Sequence, residues 1–207
     1  LIAIRRQSLD VPTIDESRKL RRVVLTGAPG SGKTTIVREL ARRLGDCVVI
    51  VPEAATQYYT GLGLRWDQLT IEQRRDAQRA IYRLQVNQEK HIDESHPDRM
   101  ILLDRGTIDG SAYWPDGPDA YWLDLGTTPA EQLRRYDRVI VLETVAHIGL
   151  YDGDESNHIR FEDASGAVEA GKTLERLWTG HPDVHIVEAK PILEDKIQAV
   201  LRLLDRA

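Results

Sequence analysis

Residues 27–34 read Gly27-Ala28-Pro29-Gly30-Ser31-Gly32-Lys33-Thr34, and the six residues before them are Arg21-Arg22-Val23-Val24-Leu25-Thr26. The octapeptide satisfies every fixed position of G-x-x-x-x-G-K-[ST]. Ahead of it, the run from Val23 has the continuous apolar form of a strand buried on both faces. Behind it, Ile36, Val37, Leu40 and Leu44 recur at helical spacing, and Gly45 stands where a helix C-cap belongs. A glycine-rich turn between strand and helix lets successive backbone N–H groups point inward, and the helix N-terminus adds the positive end of its dipole. Gly27 through Thr34, together with Thr35, are therefore expected to cradle the phosphates of ATP. Lys33 would neutralise β- and γ-phosphate charge, and Thr34 would hold Mg²⁺ through its hydroxyl.

Working outward, Cys47–Val51, Met100–Leu103 and Asp137–Leu142 read as further buried strands, and Val184–Val187 as a weaker fifth. Thr70 and Gln73 form a capping-box pair ahead of a long helix whose apolar seam runs Ala77, Ile81, Leu84 to Ile92; its Arg/Gln-rich face reads as solvated. Pro191 is expected to open a terminal helix carrying Leu193, Ile197, Val200 and Leu204 on one side. The stretch after Glu53 that holds Tyr58, Tyr59 and Trp66 reads as a loop, and Tyr113–Pro129 as a loop with one short helix. Strands alternating with helices imply right-handed βαβ crossovers. The expected architecture is α/β, a P-loop NTPase fold: a five-stranded parallel sheet with helices on both faces and a lid segment. It occupies residues 21–207 as one domain, after an N-terminal arm over residues 1–20.

Composition narrows the function classes. The 207 residues hold 28 Lys+Arg against 33 Asp+Glu, a net charge of −5, and no basic run with interleaved aromatics, so no nucleic-acid partner is expected. No apolar run approaches the roughly 20 residues of a membrane helix, so no membrane partner is expected either. The single cysteine, Cys47, permits no intrachain disulfide and leans toward a reducing, cytoplasmic compartment. Between Leu150 and Ala170, six carboxylates stand against Arg160 alone. The six histidines show no metal-ligand spacing, and His158 and His181 read as surface residues.

Two further carboxylates fall where open α/β sheets bind ligands, at the C-terminal ends of strands. Asp104 follows Met100-Ile101-Leu102-Leu103, the form of a Walker-B Asp that holds Mg²⁺; capping the next helix is the alternative. Glu53 ends the second strand after Val51-Pro52. Tyr58, Tyr59, Trp66, Tyr113 and Trp114 could wall a ring-bearing ligand or simply pack. Asp109 reads as structural ahead of a contact to a substrate hydroxyl.

The phosphate loop, Val51-Pro52-Glu53-Ala54-Ala55, Leu103-Asp104-Arg105-Gly106, and Tyr136-Asp137 followed by Asp152-Gly153 and Arg160 carry a resemblance. Together they resemble the small P-loop ATPase/kinase family, AAA-type ATPase domains related to the ribosylnicotinamide-kinase domain of NadR, and more distantly the deoxynucleoside and thymidylate kinases. The likeness runs from about Arg21 to Ala207. It implies a small-molecule substrate, Glu53 as the group that takes the proton from a substrate hydroxyl, Asp104 near the metal, Arg105 on phosphate, and Arg160 as a lid arginine on the transferring group. The acidic lid departs from that pattern, with only Arg160, Lys172 and Arg176 as basic candidates. Two functions stay open: an ATP-dependent kinase acting on a nucleoside-like hydroxyl, or a regulatory nucleotide-binding module or NTPase that works through a protein partner. No N-K-x-D segment for reading guanine occurs.

Overall fold

A computed structural model describes residues 20–151 and 164–205 of the protein. In chain order it holds β1 (Arg22–Thr26), α1 (Lys33–Leu44), β2 (Val48–Val51), α2 (Ala54–Leu62), α3 (Ile71–Ser95), β3 (Met100–Asp104), α4 (Pro118–Leu125), α5 (Pro129–Leu133), β4 (Arg138–Leu142), α6 (Ala164–Trp178), β5 (Val184–Val187) and α7 (Leu193–Leu204). All four strand pairings are parallel, and the sheet order is β2-β3-β1-β4-β5. β1 is thus the central strand. Its Leu25 lies in register with Asp104 of β3 and Ile140 of β4, so the phosphate loop leaves the sheet between the ends of both neighbours.

The period of two along β1 divides the core. Val23 and Leu25 join Ile36, Val37 and Leu40 of α1 and Ile197, Val200 and Leu204 of α7 on one face. Val24 joins Ile101, Leu103, Val139 and Val141 on the other, beneath Tyr121, Tyr136 and Trp178. Both faces are covered, which is why the strands read as unbroken apolar runs. Each such Val, Ile or Leu contributes about 1.5–3 kcal/mol by leaving water.

Caps set the helix ends as the residue types dictate. Thr70 Oγ1 accepts from Gln73 N while Gln73 Oε1 accepts from Thr70 N, so the capping box at the start of α3 is complete. Gly45 caps α1 and donates its N–H to Ala41 O.

Several expectations are corrected. The stretch after Glu53 is helix α2, closed by Gly63 at φ 63°; Tyr58 and Tyr59 lie on that helix. Gly61 within it and its short length disguise the period. Residues 113–129, by contrast, are as expected a loop with one short helix, α4, between the Asp109–Tyr113 3-10 turn and Pro129, where α5 opens. Pro191 lies in a bend before α7, whose N-cap is Ile192. α6 was not anticipated, although its buried positions Ala167, Leu174 and Trp178 recur at helical spacing. His181 is buried, its Nε2 2.9 Å from Tyr136 O and its Nδ1 accepting from Asp183 N at 3.1 Å. The Arg/Gln face of α3 is only partly solvated, since Gln78, Gln85 and Glu89 are buried. Arg160 and most of the acidic stretch lie outside the described residues, as do His158 and most of the N-terminal arm. Among the described residues no helix is long and apolar enough to cross a membrane.

Candidate active site

Gly27 turns the chain off β1 at φ 143°, and a Cβ there would stand 2.2 Å from Leu142 O, so only glycine lets the loop pass the end of β4. Gly32, at φ 81°, is the N-cap of α1 and supplies no capping side chain, so the first-turn N–H groups of α1 meet no side-chain cap. Lys33 Nζ curls over the loop, donating to Gly27 O at 2.7 Å and to Ala28 O and Ser31 Oγ at 3.3 Å. Thr34 and Thr35 open onto solvent on the first turn of α1. Helix α6 packs against the loop from the side, with Gly171 beside Ala28.

Thr34 Oγ1 donates to Asp104 Oδ2 at 3.0 Å, joining the loop to the end of β3. Asp104 is 3 % exposed, and its Oδ1 is buried without a hydrogen-bond partner. Burial, and then the nearby Glu53 carboxylate, raise the Asp104 carboxyl above its ordinary range against the pull of Lys33, Arg105 and the Thr34 hydroxyl. A carboxylate with one open buried oxygen beside a threonine hydroxyl is a fitting donor set for Mg²⁺.

Arg105 follows Asp104 with φ 76°, the single non-glycine residue among those described with a positive φ. Such a backbone costs on the order of 1–3 kcal/mol and persists where its surroundings over-determine it. Here the N–H donates to Leu25 O at 3.0 Å, and the carbonyl accepts from Gln85 Nε2 at 3.3 Å. The side chain donates through Nε to Glu53 Oε1 at 2.6 Å and through Nη1 to Asp109 Oδ2 at 3.0 Å. Burial opposes the guanidinium charge, but Tyr113, Glu53 and Asp109 outweigh it and hold Arg105 protonated. Glu53 is the N-cap residue of α2; its Oε2 accepts from Thr56 Oγ1 at 2.8 Å. Asp109 also accepts from Thr26 Oγ1 at 2.6 Å and Trp178 Nε1 at 2.7 Å, so it acts as a buried clamp.

Beside the loop lies a cavity of about 260 Å³ between α2, α3 and the Asp109–Tyr113 turn. Pro29, Glu53 and Arg105 form its phosphate-side wall. Tyr59, Trp66 and Tyr113 line it, with Trp66 edge-on to both tyrosines at 6.3 Å between ring centroids. Tyr58 backs Tyr59, and Trp114 packs into the core against Tyr121 instead. One polar residue on these walls, Gln78, was missed from the sequence. The Tyr59 hydroxyl is buried without a partner, and Gln78, 4 % exposed, lines the cavity. The signal for Gln78 was its place on the buried row Gln78, Ile81, Gln85 and Glu89, where polar residues interrupt an apolar seam. Lys172 and Arg176 sit elsewhere, on α6, bonded to Glu169 and Thr173.

The model of the AAA-domain family matches residues 22–196, from the first residue of β1 into α7. The chain belongs to the AAA-domain family. Two solved structures share the fold. Shikimate kinase from Acinetobacter baumannii in complex with shikimate superposes with a TM-score of 0.54 at 17 % identity, over 89 % of this chain and 93 % of that one. NadR in complex with NR gives a TM-score of 0.59 at 20 % identity, over 91 % of this chain and 50 % of that one, so the chain spans half the NadR length. The five-stranded parallel sheet with helices around it is that of the P-loop NTPase fold. A search of the curated proteins finds no match.

Proposed function

We propose that the protein is an ATP-dependent kinase that transfers the γ-phosphoryl group to a hydroxyl of a nucleoside-like small molecule. The observation that carries this reading is the cavity itself. It abuts the phosphate loop through Pro29, presents Glu53 and Arg105 on that side, and is walled by aromatic rings farther in. Its volume suits a small organic molecule. Tyr59 and Gln78 add polar side chains to a mostly aromatic lining, which suits a ligand with hydrogen-bonding edges.

In the proposed reaction the acceptor oxygen forms a bond to the γ-phosphorus, the bond from that phosphorus to the β-bridging oxygen breaks, and ADP leaves. The Glu53 carboxylate orients the acceptor hydroxyl and takes its proton. Arg105 and Thr56 are among the groups that hold the carboxylate in place on the cavity wall. Arg105, held charged beside Glu53, supports the charge that develops on the transferring group. Mg²⁺ held by Thr34 and Asp104 would supply neutralisation of phosphate charge. Arg160, outside the described residues, is assigned to the transferring group by the family resemblance alone. Shikimate kinase, similar in fold, was solved with its small molecule bound.

The test is ADP release measured with and without a panel of nucleosides, sugars and amino-alcohols. Release that depends on the added acceptor, with a phosphorylated product by mass spectrometry, supports the kinase. Steady release independent of any acceptor would replace it with an NTPase.

A further inference from the structure

Lys196 lies on α7, 2 % exposed, with its ammonium turned toward the back of the phosphate loop. Its Nζ donates to Ser31 O at 2.8 Å and to Glu143 O, just beyond β4, at 2.5 Å. No carboxylate oxygen is hydrogen-bonded to it among the described residues; both partners are main-chain carbonyls. Burial pushes the Lys196 pKa down to about 8, and the nearby Glu143 carboxylate only partly offsets that effect. An ammonium is kept here at a cost, and the reaction proposed above gives it no task.

The covalent geometry gives it one. Across a trans peptide the C=O and N–H point in opposite directions, and none of the described peptide bonds is cis. Fixing the Ser31 carbonyl toward α7 therefore fixes the Gly32 N–H toward the far side of the loop. Gly32 has no Cβ and sits at φ 81°, so its own side chain does nothing to hold that peptide plane. Neighbouring contacts act in the same sense. Val145 N donates to Gly30 O at 3.3 Å, and Leu193, one turn before Lys196, stands where a Gly32 Cβ would meet it at 3.2 Å. The second carbonyl ties the loop to the end of β4, and the Glu143 carboxylate in turn accepts from Ala189 N at 2.9 Å.

We propose that Lys196 is a positioning residue for the phosphate loop: its ammonium holds the Ser31 carbonyl outward, so that the Gly32 N–H is aimed at the bound phosphate before nucleotide arrives. The role rests on the reading of residues 27–34 as a phosphate site, and not on the identity of the acceptor.

Calorimetry of ATP·Mg²⁺ and of tripolyphosphate·Mg²⁺ tests it, at a temperature where circular dichroism shows each variant fully folded. Lys196→Met is expected to weaken both probes by tenfold or more and by the same factor, since the loss lies in the phosphate site. A loss of stability alone would leave the affinity of folded protein unchanged. Less than a tenfold loss for either probe overturns the proposal. If Lys196→Met does not fold, Lys196→Gln, too short to span both carbonyls, is judged on the same criterion. Lys33→Ala run in parallel separates the two readings: should it bind both probes as wild type does, the phosphate-site reading falls, and this role with it.

Discussion

Arg105 Nε lies 2.6 Å from Glu53 Oε1, so the residue that follows β3 and the residue that precedes α2 form a buried ion pair on the wall of the cavity. The pair aims Glu53 inward. It also restrains Arg105, whose positive φ would otherwise relax. Charge and strain are thus concentrated on the side of the cavity that meets the phosphate loop.

Glu53→Gln tests the chemistry of that pair. The variant keeps the shape and an acceptor for Arg105, but cannot take a proton. ATP affinity is expected to stay within threefold and any slow background hydrolysis to persist, while transfer to the acceptor falls about a hundredfold or more. Single-turnover kinetics with a confirmed acceptor measure this. Transfer at the wild-type rate would remove Glu53 from the reaction.

Asp104→Asn separates metal binding from folding. The Asp104 carboxyl is raised by burial and by Glu53, so its ionised form costs the folded state. That cost is absent below about pH 4, the ordinary carboxyl range, and grows as pH rises through the raised value. At pH 7.5 the variant is expected to match or exceed wild-type stability, with the difference vanishing toward pH 4, yet to lose turnover at limiting Mg²⁺. Denaturant midpoints at both pH values and a Mg²⁺ titration provide the check; a variant less stable at pH 7.5 would contradict it.

Gln78→Leu addresses the acceptor. Gln78 lines the cavity and is 4 % exposed, so the substitution keeps side-chain bulk while removing a polar edge from the ligand side. KM for the acceptor is expected to rise tenfold or more, with KM for ATP unmoved. Equal KM values for acceptor in both proteins would make Gln78 a bystander.

Glu89→Ala should act through stability. Glu89 is 1 % exposed and accepts from Arg135 at 2.5 Å and from Tyr136 and Gln85 at 2.9 Å, while Gln85 also holds the Arg105 carbonyl. Removing the carboxylate takes a charged partner from half-buried Arg135 and one acceptor from the Tyr136 hydroxyl, which keeps Thr107, at a cost of about 1–3 kcal/mol. Urea denaturation reads this directly; a loss under 1 kcal/mol would show that the network relaxes freely.

The sequence by itself determined the sheet, the phosphate loop and the helix behind it, because these depend on local periodicity and on glycine chemistry. Val23 to Thr26, the octapeptide and the Ile36–Leu44 seam each show their structure within a dozen residues. It also placed Glu53 and Asp104 at strand ends. Only the tertiary structure decided what those ends face. Helix α2 lacked a clear period and is held by packing of Ala54 and Tyr59 on Ala77 and Ile81 of α3. Gln78 and Lys196 looked like ordinary polar positions on amphipathic helices. Their roles arise from neighbours far along the chain: Gln78 from a cavity closed by α2 and the Asp109–Tyr113 turn, and Lys196 from Ser31, 165 residues away. A hydrogen-bond partner that distant leaves no mark on local pattern, because the fold alone brings the two groups together.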